Sequence, residues 1–290
     1  MQMYQVIKNY RDNEELRRSF NELAGATFGL NFEDWYQNGF WSDNYNPYSI
    51  VIDGKVVSNV SVNKTDMLID GEVKHFLQLG TVMTDEAYRN RGLSRRIMEE
   101  IDKDYAGKVD GIYLFGNDNV VEFYPRFGFA KGEEYLYSKN VSLSGESQVE
   151  QVVADNPKAW QQLTDVMNRS IFRGKMDMLY NNELIMFYVS KFMQENVYYH
   201  KASDTYVIAE IEGDSLLIHN VFSSTVTELE DVIALFGQDI KEVTLGFTPL
   251  NVEGYTIENY HEEDCNFFVK GAVFDMMERE KLRIPSLSHA

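Results

Sequence analysis

Between Tyr88 and Arg96 the chain reads YRNRGLSRR, four arginines and no acid around a single glycine. The protein as a whole is acidic, with a formal net charge of -19. Leu93, Ile97, Ile101 and Tyr105 fall at helical spacing after Gly92, so the basic cluster sits where a helix begins. A helix N-terminus already carries unpaired N–H groups and partial positive charge, and placing Arg91, Arg95 and Arg96 there is unfavourable. A bound anion relieves the conflict. Backbone N–H groups and guanidinium groups can share a phosphate, and Gly92 keeps a side chain out of its way. A second stretch, FEDWYQNGFWSDNYNPY, places Trp35, Tyr36, Phe40, Trp41, Tyr45 and Tyr48 around Asp34 and Asp43. Aromatic faces beside carboxylates suit a cation. The same rings equally suit a core that packs the first helices against a sheet.

Periodicity and turn chemistry give the elements that must hold these residues. A short strand at 4–7 precedes a helix at 14–27. Strand-like runs follow at 48–52, 55–62 and 73–82, joined by Asp53-Gly54 and Asp70-Gly71, the pairs that favour tight antiparallel turns. The helix from Gly92 ends near Gly107. Strand 111–115, a short helix 119–127 stopped by Gly128, and strand 129–141 complete the first half. Residues 141–148 dissolve into small polar residues, as a linker does. The order then recurs: helices at 157–168 and 182–195, the first opened by Asn156-Pro157; strands 205–211 and 215–222; helix 228–237; strands 242–247 and 265–270; and a helical stretch 273–281. The expected fold class is α/β of the α+β kind, a mixed, mostly antiparallel central sheet flanked by helices, and duplicated. The expected domains are 1–140 and 149–290. The duplication rests on element order, because no residue-level repeat accompanies it.

Composition narrows the partners. No apolar run approaches the roughly 20 residues that span a bilayer, and the N-terminal MQMYQVIKNYR lacks the pattern of a signal peptide. One cysteine, Cys265, excludes an internal disulfide and fits a cytoplasmic location. Five scattered histidines give no metal-ligand set, so no metal is expected. Residues 1–140 carry 16 Lys and Arg against 22 Asp and Glu, and residues 141–290 carry 11 against 24. Such a surface repels polyanions, so neither nucleic acid nor membrane is an expected partner. The acidity either draws in a cationic small molecule or only keeps the protein soluble. Homo-oligomerisation is left open.

The basic loop has a counterpart further on. Strand 77–84 runs into Arg89-x-x-Gly92-x-Ser94, and after the next strand stands Asn117-x-x-Val120-x-x-Phe123-Tyr124-Pro125-x-Phe127-Gly128-Phe129. On these two motifs residues 1–140 resemble the GCN5-related N-acetyltransferase (GNAT) superfamily. Its coenzyme signature is Gln/Arg-x-x-Gly-x-Gly/Ala, and its later motif is Asn-x-x-Ala-x-x-Phe-Tyr before a Gly-Phe turn. Ser94 replaces the last Gly/Ala, and Val120 replaces the Ala. The resemblance implies acetyl-CoA as cosubstrate. Val82, Met83 and Thr84 would pair through their backbone with its pantetheine arm. Backbone N–H groups of Arg89, Asn90, Arg91, Gly92, Leu93 and Ser94 would hold the pyrophosphate. Asn117 would bond the coenzyme where the fourth and fifth strands part, and Tyr124 would protonate the departing thiolate. Outside the motif, Tyr124 would read as one more aromatic of an amphipathic helix. The second half has no such signature: SSTVTELE after its strand at 215–222 lacks glycine and arginine. That half is expected to bind no coenzyme and to wall off the acceptor site.

The resemblance also marks a gap. Relatives carry a Glu or His base on the fourth strand, at positions that here are Gly80 and Gln78. Neither can accept the proton, though Gln78 could orient a water. His75 falls on the opposite strand face and reads as a surface residue. In the enhanced intracellular survival family, which this chain also resembles, tandem acetyltransferase domains share a pocket and the chain's own terminal carboxylate is the base. By that likeness Ala290 is a candidate base, against the alternative of a frayed terminus. Glu262, Glu263 and Asp264 either add charge to a shared cleft or form a solvated turn.

The expected activity is transfer of an acetyl group to the primary amine of a small cationic acceptor by direct attack, with Asp34, Trp35, Trp41 and Gln78 on the acceptor side. Two other classes stand beside it. One is a non-catalytic acyl-CoA-sensing or interaction module. The other is a tandem transferase that takes an aminoacyl group from charged tRNA for cell-wall synthesis, against which the acidity and the coenzyme motif both speak.

Overall fold

The computed structural model describes residues 4–289. The first half contributes β1 (Val6–Ile7), α1 (Glu14–Phe28), α2 (Glu33–Gln37), β2 (Tyr45–Ile52), β3 (Lys55–Ile69), β4 (Glu72–Thr84), α3 (Leu93–Tyr105), β5 (Gly111–Gly116), β6 (Ala130–Lys131) and β7 (Glu134–Asn140). The second contributes β8 (Glu150–Val152), α4 (Pro157–Arg169), β9 (Met176–Leu179), α5 (Asn182–Lys191), β10 (Val197–His200), β11 (Thr205–Glu212) and β12 (Ser215–Ser223). It ends with α6 (Leu229–Ala234), β13 (Glu242–Leu245), β14 (Thr256–Tyr260), β15 (Asn266–Lys270) and α7 (Val273–Arg279). The Asp-Gly turns form as their chemistry dictates, with all four residues at positive φ. The expected helix at 119–127 is instead two short 3₁₀ turns, Asp118–Val120 and Tyr124–Phe127. Pro125 lacks the N–H that an α-helix would need there.

Two sheets result. The first runs β1-β2-β3-β4-β5-β15-β6, with β9 also paired to β3; the second runs β14-β7-β13-β12-β11-β10-β8. Each holds one parallel pair, β4–β5 and β12–β13, and every other pair is antiparallel. In both, an antiparallel hairpin leads through a helix to the strand that pairs in parallel, the duplicated α+β architecture that element order predicts.

The halves also trade strands. The chain passes from β6 into β7, yet β7 pairs with β13 and β14 of the second sheet. Likewise β15 follows β14 but pairs with β5 and β6 of the first. A cut near residue 140 would therefore leave the first sheet without β9 and β15 and the second without β7. Phe268 of β15, fully buried, joins the core of α3, β3, β4 and β5. Tyr137 of β7 joins the core of the second sheet.

The end of the chain is held firmly. Leu282 and Ile284 are fully buried among Phe76, Met176 and Phe267. The Tyr113 hydroxyl donates to the Ser288 carbonyl at 3.0 Å. A frayed terminus is thus excluded as far as His289, whose ring stacks on Phe115. Ala290 itself lies outside the described residues. No helix among the described residues is long and apolar enough to cross a membrane.

Asp177, in β9, gives the fold a pH dependence. Burial pushes its carboxyl up to about 6, against the opposing pull of the Gly174 N–H and of Arg173. In the unfolded chain an aspartate ionises near 3.9. Asp177 therefore stabilises the fold below that value, and the contribution fades as pH rises through 6. With partial solvent screening the loss is about 1–2 kcal/mol. Urea melts at pH 4.5 and pH 7 should show this drop, and Asp177→Asn should remove it.

Candidate active site

The site starts from an irregularity in β4. Ser58 to Asn59 pair with Thr84 to Met83, and Ser61 pairs with Gly80, so Thr81 and Val82 together oppose Val60. This is a β-bulge, with Thr81 at φ 49°. A buried polar relay holds it. The Tyr10 hydroxyl meets Ser49 Oγ at 2.6 Å, Ser49 donates to Asn59 Oδ1 at 2.8 Å, and Asn59 Nδ2 donates to the Thr81 carbonyl at 2.9 Å. Tyr45 adds a bond from its hydroxyl to Thr81 Oγ1. Asn59→Leu should strand the Thr81 carbonyl. The expected loss is about 1–3 kcal/mol of stability and roughly tenfold in kcat, with the coenzyme KM unmoved; urea melts and thiol-release kinetics check it.

The bulge coincides with the parting of β4 from β5. Their parallel pairing spans only Phe76–Gly111, Leu77–Ile112 and Gln78–Tyr113. From Leu79 to Thr84, β4 has no strand on that side, and into the gap opens a cavity of about 390 Å³. This is where the resemblance puts the pantetheine arm. Gln78, Gly80, Val82, Asn117 and Tyr124 line the cavity, as does Trp35. Asn117 caps the first 3₁₀ turn through Oδ1 to the Asn119 N–H at 3.2 Å, and its amide nitrogen donates to no described residue. Tyr124 is 3% exposed and sits on Phe268 of β15, ring centroids 5.1 Å apart. Burial pushes its phenol up to about 12. It is thus a protonated donor throughout the physiological range.

Beyond β4, Gly92 at φ 75° precedes α3 with no side-chain cap and no acid in the first turn. The consecutive N–H groups of Asn90 to Arg95 bond to no described residue, the first helical backbone bond being Arg96 N–H to Gly92 O. Ser94 Oγ meets Thr84 Oγ1 at 3.0 Å, which ties the loop to the end of β4. The arginines divide. Arg89 pairs with Glu86 and Arg96 with Glu100. Arg91 donates to the Ala87 carbonyl and lies over Tyr88, and Arg95 lies over the Phe127 ring. Arg91 and Arg95, unneutralised by any described carboxylate, are the two available to an anion. A row of free N–H groups with unpaired cations beside it fits a diphosphate.

Not every expected acceptor residue reaches the cavity. Asp34 is solvent-exposed and paired with Lys191 at 3.0 Å, and Asp43 is exposed and paired with Arg11 at 2.9 Å. Trp41 is buried in an aromatic core with Phe20, Phe32 and Tyr45. The Met83 side chain packs into that same core. The core reading of the aromatic stretch therefore holds for Trp41, whereas Trp35 both packs there and faces the cavity. Glu262 and Asp264 lie in the turn before β15 and do not line the cavity, although Asp264 Oδ1 accepts from the Asp118 N–H at 2.7 Å.

The remaining wall comes from the second half of the chain: Leu184, Phe187 and Tyr188 of α5, with Phe192 beyond it. Sequence reading missed these because a helix at 182–195 does not say which half it packs on. The second sheet has its own parting after Ile218–Leu245, and the chain's tail fills it. Ser286 N–H donates to Gly246 O at 2.8 Å, and a Cβ on Gly246 would come 2.3 Å from Ser286 Oγ.

Residues 10–132 match the model of an acetyltransferase (GNAT) domain. No curated protein matches the chain. Among solved structures the chain is similar to a conserved protein from Enterococcus faecalis V583 described as a probable N-acyltransferase, with 15% identity, 95% of this chain and 74% of that one covered, and a TM-score of 0.59. It is similar to Eis1 from Mycobacterium abscessus, with 12% identity, 92% and 73% covered, and a TM-score of 0.54. It is also similar to a GCN5-related N-acetyltransferase from Kribbella flavida, with 16% identity, 92% and 71% covered, and a TM-score of 0.54. At these identities the likeness is one of fold.

Proposed function

We propose that this chain, whose residues 10–132 match the model of a GNAT acetyltransferase domain, transfers the acetyl group of acetyl-CoA to a primary amine of a small molecule. The observation that carries the reading is the opening between β4 and β5. The unpaired edge of β4 from Leu79 to Val82 and the buried Tyr124 line it, and the free N–H row before α3 follows the same strand, tied to its end by the bond between Ser94 and Thr84. In this reading the loop from Arg89 to Ser94 holds the pyrophosphate, and the backbone from Val82 to Thr84 holds the pantetheine arm. The amine nitrogen attacks the thioester carbonyl. A C–N bond forms, the C–S bond breaks, the thiolate takes the Tyr124 proton, and the proton that the nitrogen sheds passes through solvent to restore the Tyr124 phenol. A backbone N–H at the β4 bulge faces the negative charge that gathers on the carbonyl oxygen.

The test is release of free thiol from acetyl-CoA over a panel of amines. Acetyl-CoA binding with no thiol release from any amine would instead favour the acyl-CoA-sensing reading. Gly92→Val addresses the coenzyme half. A β-branched residue at φ 75° is strained, and its side chain would stand in the anion's approach. The expected result is a rise of at least tenfold in the KM for acetyl-CoA, with melting lowered by a few °C from the strain.

A further inference from the structure

The wall of the active-site cavity carries no formal charge. Nine of its twenty lining residues are aromatic, and none is Asp, Glu, His, Lys or Arg. Its rim is apolar as well, with Phe28 and Phe192 about half-exposed at the surface. The polar part of the lining includes two amides that face each other across β3 and β4, Asn63 and Gln78. Asn181 fixes how Asn63 is turned. Asn181 Nδ2 donates to the Lys64 carbonyl and to Asn63 Oδ1, while its own Oδ1 caps the Leu184 N–H. Asn63 Nδ2 is left buried without a partner, and so is Gln78 Nε2. The polar end of the cavity therefore offers neutral hydrogen-bonding groups and no counter-ion.

Such a wall discriminates by charge. A diamine or polyamine would carry a second ammonium into a space that cannot neutralise it, and an unpaired buried charge is among the costliest things a site can hold. Aromatic faces return only part of that cost. A monoamine has another course: it can shed its single proton on entry. Burial brings fully buried amines from about 10 down to as low as about 5–6. That loss is what an attacking amine needs, in a site where positions 78 and 80 hold glutamine and glycine.

Resting on the acetyltransferase reading above, we infer that the acceptor is a monoamine on an aromatic or aliphatic body, and that the uncharged cavity, by excluding the ammonium form, does the work of a base. The body occupies the rings contributed by α2 and α5. The amine meets the Gln78 and Asn63 amides, which can bond a neutral amine and stabilise no second charge.

The experiment compares amines that differ only in charge. Hexylamine and hexane-1,6-diamine, with phenethylamine alongside, are followed by thiol release from acetyl-CoA, and acetyl-CoA binding is measured separately by calorimetry. The expected kcat/KM is at least a hundredfold higher for hexylamine than for the diamine, and higher again for phenethylamine. For each monoamine, log kcat/KM should rise with unit slope up to the amine's own pKa in water. Leu184→Glu, which sets a carboxylate in the wall, should narrow the hexylamine-to-diamine gap at least tenfold. Equal or reversed preference for the diamine would overturn the inference and leave the transferase reading standing. A tenfold gain with octanoyl-CoA over acetyl-CoA would assign the cavity to the donor's chain and overturn it too. Removing Ala290 alone, which spares the bond from Tyr113 to Ser288, should leave turnover intact; its loss would give the proton to the terminal carboxylate. Acetyl-CoA bound but no amine acetylated would sink both readings together.

Discussion

Tyr124→Phe should lower kcat by about 10²–10³ while the KM for acetyl-CoA stays within about twofold. The melting temperature should stay within about 2 °C. This combination is the one to look for, because the tyrosine's two roles separate cleanly. Its ring is structural, packed on Phe123, Phe129 and Phe268 at centroid distances of 5.2, 6.0 and 5.1 Å. Its hydroxyl bonds to no described residue, so the phenylalanine variant breaks no internal hydrogen bond. What it removes is a proton held in an apolar setting, with burial pushing the phenol up to about 12. A thiolate departing into that setting needs a proton at once, and Tyr124 is the ionisable residue that the second motif brings to the cavity. The same burial means the wild-type kcat profile should show no descending limb below pH 10 from this group. An unaltered kcat in Tyr124→Phe would remove it from the chemistry.

Dividing the chain in the linker should destroy both halves, and restoring the pieces together should rescue them. Residues 1–148 alone lack β15, so β5 from Gly111 to Gly116 would expose a bare strand edge in the middle of a sheet. Residues 149–290 alone lack β7, the strand between β13 and β14. Each fragment should show no cooperative thermal transition, and fragment 1–148 should not bind acetyl-CoA. Co-expression should give a soluble complex that binds it. A milder version is Phe268→Ala, expected to cost about 3–5 kcal/mol and to lower kcat as well, since Tyr124 rests on that ring. A fragment 1–148 that melted cooperatively and bound coenzyme would refute the dependence.

The sequence carried the local geometry well and the long-range pairing poorly. Asp53-Gly54 and Asp70-Gly71 fix their turns through backbone preference alone, so the β2–β3–β4 meander could be read residue by residue. The spacing from Gly92 to Tyr105 likewise marks one buried face of α3. Nothing comparable tells β7 or β15 where to go. Alternation says which face of a strand is buried, and it is silent on which sheet the strand will join. The far end of β3, from Asn63 to Ile69, was missed for a related reason: its last four residues, Asp66 to Ile69, pair on both edges, with β4 and β9, and so read less regularly. β8, with three residues, falls below the length at which a period can be recognised. In the site, the motif residues were legible because loop and strand positions near a coenzyme are tied to backbone geometry. The acceptor wall was not. Asp34 and Asp43 suggested a charged pocket by composition, yet both turn outward to Lys191 and Arg11, and the wall is completed by Leu184, Phe187 and Tyr188 from another half of the chain.

The traded strands also set a clock on biosynthesis. Gly116 pairs with Asn266 in the finished sheet, so the partner of β5 leaves the ribosome 150 residues after β5 itself. At about 5–20 residues per second that delay is roughly 8–30 s. Throughout it the nascent chain presents an apolar edge and an unseated Tyr124, a state open to misassembly with neighbouring chains on the same message. The coenzyme half is made first and completed last. A chaperone that shields β5 on the nascent chain should therefore raise the yield of active protein more than one that acts after release.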